Sequence, residues 1–441
     1  MLRVGCSYSF YCTFIKYTIA LPNKPLLLKK LICFLLLIAG QWVFNSARAQ
    51  NIPFPQKDIS DVLFGSKKRK AQPQNDSLVP RKFYTSFLPI PGYNPALGFV
   101  IGGGISTSFL SGQSSSTRRS NILANATITT RNQFNLNIRN MIYLKDDQWV
   151  LQGDWRWLIF SQPTYGLGIN FNNAFRPPAI EQPMKFNYIR FYQTLYKKVL
   201  GPWYAGVGIN IDRHYDIVDQ RLDATGPNPF FTAHYDYSTL NNIRQDQYSS
   251  VGLSANFLFD NRDNAVNPRK GQYALMSFRI NNEIFGSTRS HNTLYYEFRT
   301  YWNPTKMLVR PHIVGFWTMG QFVTSGKQPY LEMPGISWDM YNRTGRGYVQ
   351  GRIRGENMWY GETEYRFPIS KNGLFGGVAF LNLTTATNEA KQQKLADEFA
   401  AGYGIGLRIK MSKKTNTNIG IDYGMGRDGS NGIYINLLET F

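Results

Sequence analysis

"MWYGETEYRFPI", residues 358–369, is the stretch that decides the fold class of this chain. Glu362, Glu364 and Arg366 occupy alternate positions in it, with uncharged residues between them. Because successive side chains of a β-strand point to opposite faces, the three charges share one face, and aromatic and small residues make up the other. The stretch therefore predicts a strand that separates a charged environment from an apolar one.

A similar alternation recurs along most of the chain. We count sixteen segments of about ten to fourteen residues between residues 96 and 441, rich in aromatic and β-branched side chains. No long helical pattern interrupts them, and none has the roughly eighteen consecutive apolar residues that a transmembrane helix needs. The first segment is expected at residues 97–110. Examples are NILANATITT, FNLNIRNMIYL, GQYALMSFRI and TLYYEFRTYW.

The connections between these segments are predicted to fall into two length classes. Those after even-numbered segments are short, as at Arg131-Asn132 and Ser161–Pro163, whereas those at 215–246 and 323–356, after odd-numbered segments, are long. Short turns at one end and long loops at the other are typical of outer-membrane barrels. We therefore predict an all-β fold, a 16-stranded antiparallel transmembrane β-barrel with its charged strand faces towards the lumen. A soluble array of β-sandwiches is the alternative, but it has no reason to segregate loop lengths.

Residues 1–49 have the pattern of a signal peptide. Lys29 and Lys30 precede a short apolar run, and Ala47-Arg48-Ala49 resembles a signal-peptide cleavage site. All three cysteines of the chain lie in this leader, so the exported part is predicted to have no disulfide. An uncleaved membrane anchor is the alternative. Export also predicts that the protein does not act on nucleic acid.

A polar, basic segment follows the leader. Residues 50–85 contain SKKRKAQPQNDSLVPRK and are predicted to form a flexible basic periplasmic linker ahead of a barrel at 86–441. The leader holds six of the 49 basic residues and no acidic residue, so the remaining chain has 43 basic and 28 acidic residues, a net charge of +15. This charge is suited to contact with the anionic headgroups of outer-membrane lipid and lipopolysaccharide.

The sequence has no pattern typical of an enzyme, a cofactor site or a metal site. It lacks the G-x-S-x-G motif of α/β-hydrolases, and its four histidines are scattered without metal-ligand spacing. The segment at 260–271 has acidic residues like a calcium loop but lacks the glycine and the glutamate that such a loop needs, so a tight Asx-type turn is expected. We predict neither catalysis nor a bound cofactor. The histidines are His214, His234, His291 and His312.

Four short motifs occur in order along the chain: LPIPGYNPALGFVIGGG at 88–104, FDNRDNAVNPRKGQY at 259–273, RGY at 346–348 and EYRFPI at 364–369. Together they resemble the first strand, a periplasmic turn, the sixth loop and the twelfth strand of BamA/TamA-type outer-membrane barrels, the bacterial surface antigen family. The resemblance covers residues 85–441. The turn-motif residues are Asp260, Arg262, Asp263, Asn264, Pro268 and Gly271.

The resemblance implies that the sixth extracellular loop folds into the lumen. In that family its arginine pairs with acidic residues on strands twelve and thirteen, so Arg346 is expected to meet Glu364. On strand thirteen this chain has Asn382 where an aspartate is usual, so the pairing is expected to be weaker, and Asn382→Asp is expected to tighten it. A solvent-exposed Arg346 is the alternative. The predicted loop-lock residues are Arg346, Gly347, Tyr348, Glu364, Arg366 and Asn382.

The last segment, GIYINLLETF, looks like the C-terminal signal of bacterial outer-membrane barrels. Alternation predicts that Ile433, Ile435, Leu437 and Phe441 face one side, towards lipid, and that Glu439 lies near the membrane interface. The barrel assembly machinery is the expected partner of this strand during biogenesis. The predicted assembly-signal residues are Tyr434, Leu437 and Phe441.

Two functions remain open. Family members that fold or export proteins carry polypeptide-transport-associated domains, and residues 50–85 are too few to form one. The capture function is therefore expected either to be absent or to be supplied by a periplasmic protein partner. The first function is that of a protein assembly or translocation barrel in the outer membrane of a Gram-negative bacterium. The second is that of a passive porin-like or structural barrel.

Overall fold

The computed structural model describes most of the chain after residue 82 and one short segment before it. The predicted signal peptide, residues 1–49, and most of the predicted linker lie outside the described residues. The described residues are 57–63, 83–89, 92–94, 98–111, 118–144, 146–170, 180–265, 267–304, 312–412 and 416–441.

The strand segments of these residues form one sheet. Its first strand, β1, consists of Phe83–Pro89 and Gly92–Asn94, which pair with the next strand in one continuous register, so the sheet has 16 strands. The others are β2 (Gly98–Phe109), β3 (Ser120–Thr129), β4 (Phe134–Leu144), β5 (Trp149–Thr164), β6 (Gln182–Leu200), β7 (Trp203–Asp219), β8 (Tyr248–Asp260), β9 (Gly271–Asn281), β10 (His291–Trp302), β11 (Ile313–Gly326), β12 (Met358–Pro368), β13 (Phe375–Ala386), β14 (Ala400–Ser412), β15 (Thr417–Met425) and β16 (Asn431–Leu437).

Each strand pairs antiparallel with the strand that follows it along the chain, from β1 to β16. The longest pairings join β6 to its neighbours, where Gln182 to Leu200 form a strand of 19 residues. The predicted all-β fold with 16 antiparallel strands is confirmed.

The first strand lies earlier than the sequence predicted. The segment expected to be strand one, 97–110, is β2, and the real first strand begins at Phe83, inside the predicted linker. Phe83 lies opposite Phe109, and their rings stack at 5.4 Å between centroids. Aromatic pairing with β2 therefore places the end of the predicted linker in the sheet, although prolines and basic residues flank this segment in the sequence.

The long connections all lie at one end of the sheet. They join odd-numbered to even-numbered strands and span 165–181, 220–247, 327–357 and 387–399. The predicted turn at Ser161–Pro163 is wrong, because these residues continue β5 and Pro163 lies opposite Pro183 on β6. The predicted turn at Arg131-Asn132 follows β3, and so lies at the same end as the long loops.

The two faces of the sheet have opposite character. Along β8, Leu253, Ala255 and Phe257 are exposed, whereas the alternate Ser254 and Asn256 are buried. An apolar outer face with a polar inner face is the reverse of a soluble sheet and is typical of strands that meet lipid on the outside. We call the face that carries Glu362, Glu364 and their neighbours the inner face.

Two short α-helices accompany the sheet within the part of the chain that the structure describes. Helix α1 (Ile59–Leu63) lies in the predicted linker, and its chain is joined to the β12–β13 turn by a hydrogen bond from Lys57 N to Asn372 O at 2.9 Å. Helix α2 (Ala233–Leu240) lies in the β7–β8 loop and begins after Thr232, whose hydroxyl accepts from Tyr235 N at 3.2 Å. No helix within the described residues is long and apolar enough to span a membrane.

Candidate functional site

The charged residues of β12 are buried on the inner face. Glu362, Glu364 and Arg366 all have less than a tenth of their surface exposed. Arg366 donates from Nε to Glu364 Oε2 at 2.7 Å, and Tyr360 donates its hydroxyl proton to Glu362. Charges so far from solvent need partners, and the strand itself supplies only part of them.

The β11–β12 loop supplies the remaining partner. Its Arg346 is buried and donates from Nη2 to Glu364 Oε1 at 2.5 Å and also to Glu362. From Nη1 it donates to Asp422 Oδ2 on β15 at 2.7 Å. The structure thus brings Arg346 and Glu364 together, as the resemblance implied. Burial alone would lower the pKa of Arg346, but the three carboxylates outweigh it and hold the pKa well above its usual value.

The two residues after Arg346 fix the approach of the loop to the sheet. Gly347 has a φ of +110°, and a Cβ placed on it would lie 2.7 Å from Met425 O, so only glycine fits. Its N–H donates to Tyr434 Oη on β16 at 2.9 Å. Tyr348 is fully buried and donates its hydroxyl proton to Ala401 O at 2.5 Å. Each residue of the RGY motif therefore has its own role: Arg346 pairs with the carboxylates, Gly347 allows the close approach to Met425, and Tyr348 bonds to β14.

Asn382 on β13 does not leave Arg346 short of carboxylates. It donates from Nδ2 to the backbone O of Arg346 at 2.9 Å, and it is itself fully buried. Asp422 and Glu362 pair with Arg346 in place of the carboxylate that was expected on β13. The ring of Phe380, on the same strand, lies 3.6 Å from Arg346 Cζ and adds a cation–π contact.

Sequence reasoning missed three residues that complete the network. Arg408 on β14 donates from Nε to Glu439 Oε2 at 2.7 Å and from Nη1 to Asp422. Glu439 also lies 3.8 Å from Arg366 Nε, so the contacts return to β12 and close a circuit. Asp422 was visible as the single charge of β15 and Arg408 as one of two in β14, but only the fold reveals that they contact each other. This arginine network consists of Arg346, Arg366, Arg408, Glu362, Glu364, Asp422 and Glu439.

Comparison with known proteins gives the chain a family. The Omp85 superfamily domain matches residues 115–435, most of its length. The chain belongs to the Omp85 superfamily. The resemblance that the four motifs indicated is therefore confirmed at superfamily level. Proteins of this superfamily are outer-membrane barrels that act in assembly and transport and are not known as enzymes.

Solved structures with a similar fold include two bacterial outer-membrane proteins. BamA from Haemophilus ducreyi lacking POTRA domains 1-3 is 15% identical, with 81% of this chain and 69% of that chain covered and a TM-score of 0.49. CdiB from Acinetobacter baumannii is 10% identical, with 82% of this chain and 59% of that chain covered and a TM-score of 0.47. No curated protein matches the sequence.

The end of this Omp85 chain differs from the prediction. Ile433 and Ile435 are exposed on the outer face as expected, but Phe441 is buried on the inner side, with its ring 5.4 Å from that of Trp317. β16 ends at Leu437, and Leu438 has a φ of +82°, which turns residues 438–441 inward. We call residues 438–441 the tail.

Arginines of the site hold the tail in place. Arg343 donates from Nη1 to the backbone O of Glu439 and, at 3.3 Å, to that of Thr440. Arg366 donates from Nη2 to Phe441 O at 2.8 Å. Glu439, which was expected near the membrane interface, is instead buried beside Arg408. Strand alternation could not predict this, because it applies only while the backbone stays extended.

The predicted turn motif forms the β8–β9 connection of the Omp85 sheet, far from Arg346 in sequence and on the other end from the long loops. Arg262 donates from Nε to Asp260 Oδ1 at 2.9 Å, and Asp263 Oδ1 accepts from Arg269 N at 2.9 Å. Gly271 has a φ of +100°, and a Cβ there would lie 2.6 Å from Asn261 O. Asn264 Oδ1 accepts from Asn267 N at 2.9 Å, and Pro268 lies buried in the same turn. These contacts are those of a compact Asx-type turn.

Proposed function

We propose that this chain is a bacterial outer-membrane barrel of the protein-assembly or translocation type, with its lumen closed at rest by the β11–β12 loop. The pairing of Arg346 with Glu362, Glu364 and Asp422 carries the proposal. Its guanidinium ties the loop to β12 and β15 at once. Withdrawal of the loop would leave the buried Glu362 without an arginine and would take one of their arginines from Glu364 and Asp422, which keep Arg366 and Arg408. The loop therefore rests in the lumen until something replaces those contacts.

Apolar contacts support the same closed state. Ile336, Tyr348 and Ile353 of the β11–β12 loop are fully buried in one cluster with Trp317 and Tyr360 of the inner face. A loop that only screened a water-filled pore would keep polar side chains towards the inner face. This packing favours a barrel that opens by moving the loop over a passive porin-like barrel with a permanent aqueous path.

The orientation follows from the loop lengths. The end with the long connections faces the cell exterior, and the β8–β9 and β12–β13 turns face the periplasm. The outer face meets lipid and, in the outer leaflet, lipopolysaccharide. Barrel assembly machinery inserts the chain through β16, and a periplasmic protein partner delivers the client polypeptide.

The test is to measure ion conductance and client insertion with one purified protein. Wild-type protein in planar bilayers is expected to show low, intermittent conductance, and Arg346→Ala a higher and longer-lived one. Arg244→Ala is the matched control, since Arg244 is also a loop arginine paired with an acid, Asp246, but both side chains are largely exposed. Exposed pairs of this kind contribute little, so the control should behave as the wild type.

Insertion is measured by adding an unfolded outer-membrane barrel to liposomes with and without the protein. Faster folding of the client with the wild type than with empty liposomes supports the proposal. A steady open conductance of the wild type together with no acceleration of client folding would support the passive porin-like barrel instead.

A further inference from the structure

A small cavity lies on the inner face, where the sheet meets the β11–β12 loop and the tail. Its volume is about 60 Å³, and residues of β4, β10 and the β8–β9 turn line it from the sheet. Met340 lines it from the loop, and Leu438 and Phe441 line it from the tail. We call it the tail cavity. It lies towards the end of the sheet opposite the long connections, because the β8–β9 turn is at that end.

Four arginines surround the tail cavity. They are Arg139 on β4, Arg262 in the β8–β9 turn, Arg299 on β10 and Arg343 on the β11–β12 loop. Each has less than a tenth of its surface exposed. The Cζ atoms of Arg139 and Arg343 both lie 5.3 Å from the centre of the Tyr341 ring, so these two guanidinium groups flank the same side chain. The cavity therefore brings together buried cations from four separate elements.

Two of these arginines have close carboxylates of their own. Arg299 donates from Nε to Glu297 Oε1 at 2.7 Å, and Arg262 donates from Nε to Asp260 Oδ1 at 2.9 Å. Glu439 also lines the cavity, but its carboxylate belongs to the arginine network. The carboxylates around the cavity are therefore already engaged with other cations than Arg139.

Arg139 is buried without a matching hydrogen bond. It lies opposite Asp154 on β5, but its Nε is 3.8 Å from Asp154 Oδ1, which is too far for a hydrogen bond. The same carboxylate lies 2.7 Å from Arg156 Nη2 and 3.5 Å from Arg190 Nη1. Within the described residues, Arg139 Nε has no hydrogen-bond partner. A buried cation is costly unless it is paired and hydrogen-bonded, so Arg139 can accommodate a further anion.

Arg343 brings a second guanidinium group to the same cavity. It donates from Nη1 to backbone carbonyls of the tail, and a carbonyl oxygen carries no full negative charge. Burial lowers the pKa of Arg343 to about 10, whereas at Arg346, on the same loop, burial is outweighed by three carboxylates and the pKa is raised well above its usual value. An anion in the tail cavity would therefore stabilise the charges of both Arg139 and Arg343.

We propose that the tail cavity binds a small tetrahedral oxyanion, a phosphate group, through Arg139 and Arg343. The planar guanidinium group offers paired N–H donors that match the oxygens of phosphate, and hydrogen bonds between charged groups are strong. A buried water needs at least about 10–15 Å³, so a cavity of about 60 Å³ has room for four waters and hence for the four oxygens of one phosphate. This proposal does not depend on the transport role of the barrel.

Isothermal titration calorimetry tests the proposal with the purified full chain in detergent micelles. Sodium phosphate is the first probe, and sodium chloride at the same ionic strength is its control. The wild type should bind phosphate saturably, and chloride should give no such titration. Glycerol 3-phosphate is the second probe, because it has the phosphate ester of a lipid headgroup but no acyl chain that would enter the micelle. It distinguishes a lipid headgroup from free phosphate as the source of the ligand.

Three variants assign the binding to the tail cavity. Arg139→Gln should weaken phosphate binding about tenfold or more, because charge-assisted hydrogen bonds are lost. Arg213→Gln is the matched control and should bind as the wild type does, since Arg213 is exposed on the outer face of β7. Ala265→Asp introduces a carboxylate at an exposed turn position that lines the cavity. It should also weaken phosphate binding, because the new carboxylate competes for the arginines.

Heat-modifiable gel mobility shows which variants are folded, and the titrations then decide. Weaker binding in folded Arg139→Gln supports the site. Tighter binding of glycerol 3-phosphate than of phosphate would assign the ligand to a lipid headgroup, and equal or weaker binding would assign it to free phosphate. A wild type that binds neither probe, or a folded Arg139→Gln that binds as tightly as the wild type, overturns the proposal. If Arg139→Gln does not fold, unchanged binding in Ala265→Asp overturns it.

Discussion

Arg346 on the β11–β12 loop donates from Nη1 to Asp422 Oδ2 on β15 at 2.7 Å. The same guanidinium contacts Glu362 and Glu364 on β12, so one side chain joins two strands that do not pair with each other. A planar group with five donors can serve several carboxylates at once, which the single ammonium of lysine cannot do with the same geometry. Through this side chain the β11–β12 loop is bonded directly to two strands of the inner face.

The first prediction concerns the coupling of Arg346 with Glu364. Arg346→Ala removes one partner of a buried ion pair, a change that typically costs about 3–5 kcal/mol and that luminal water will reduce. We expect higher conductance in planar bilayers from Arg346→Ala and from Glu364→Gln. Because the two residues share one interaction, the rise in conductance of the double variant should be smaller than the sum of the rises of the two single variants. Strictly additive effects would contradict the pairing.

Asn382→Asp provides a second prediction, and here the structure reverses what the resemblance implied. The substitution removes the Nδ2 donor that holds Arg346 O at 2.9 Å and places a carboxylate against that carbonyl. The network already has four carboxylates for three arginines. We therefore expect Asn382→Asp to loosen the loop and raise conductance, with Asn382→Ala as the comparison that removes the donor without adding charge. A tighter loop in Asn382→Asp would favour the implication of the resemblance.

Gly347 gives a third prediction, which has a matched control. Gly347→Ala places a methyl group 2.7 Å from Met425 O at a φ of +110° and should displace the loop tip from the sheet. Gly429→Ala has a similar left-handed φ, +74°, but no atom within 4 Å of the new Cβ. Susceptibility of the β11–β12 loop to added protease should rise for Gly347→Ala and much less for Gly429→Ala. Equal effects would show that backbone strain alone, and not the contact with β15, is responsible.

The sequence predicted most of the sheet because its alternation is strong. Lipid-facing residues are apolar and lumen-facing residues are polar, so a strand such as β8 or β12 can be recognised from its own sequence without knowledge of its neighbours. It failed at Phe83–Pro89, where a short strand adjoins a polar, proline-containing segment and its partner β2 decides the outcome. It also failed at Ser161–Pro163, since a proline suggests a turn unless the facing residue is known to be Pro183.

The candidate site was only half predictable. Arg346 and Glu364 could be paired because a motif resemblance linked them, but nothing in the sequence connects Asp422 to either. That contact depends on the path of the loop, which carries Arg346 across from β12 to β15. The position of Phe441 depends on the left-handed φ of Leu438, a single backbone angle that residue type does not encode.

The fourth prediction concerns orientation in the cell. All three cysteines lie within residues 1–49, the predicted signal peptide, so its removal would leave a chain without cysteine into which single cysteines can be introduced. Asn228→Cys lies exposed in the long β7–β8 loop, and Lys371→Cys lies exposed in the β12–β13 turn at the opposite end. A membrane-impermeant maleimide applied to intact cells should label the first variant and not the second. Both should react after the outer membrane is permeabilised, and labelling of Lys371→Cys in intact cells would contradict the orientation.

The last prediction separates packing from lipid contact at the end of the chain. Phe441 fills a space on the inner face beside Trp317 and Tyr301, whereas Ile433 is exposed on the outer face. Removal of a buried phenylalanine side chain typically costs about 3–5 kcal/mol. We expect Phe441→Ala to lower the temperature at which the folded barrel loses its heat-modifiable gel mobility, and to lower the amount of folded barrel in the membrane. Ile433→Ala should change this transition temperature little, because the Ile433 side chain is exposed on the outer face and its removal leaves no cavity inside the protein. An unchanged transition in Phe441→Ala would mean that the tail contributes nothing to the folded barrel.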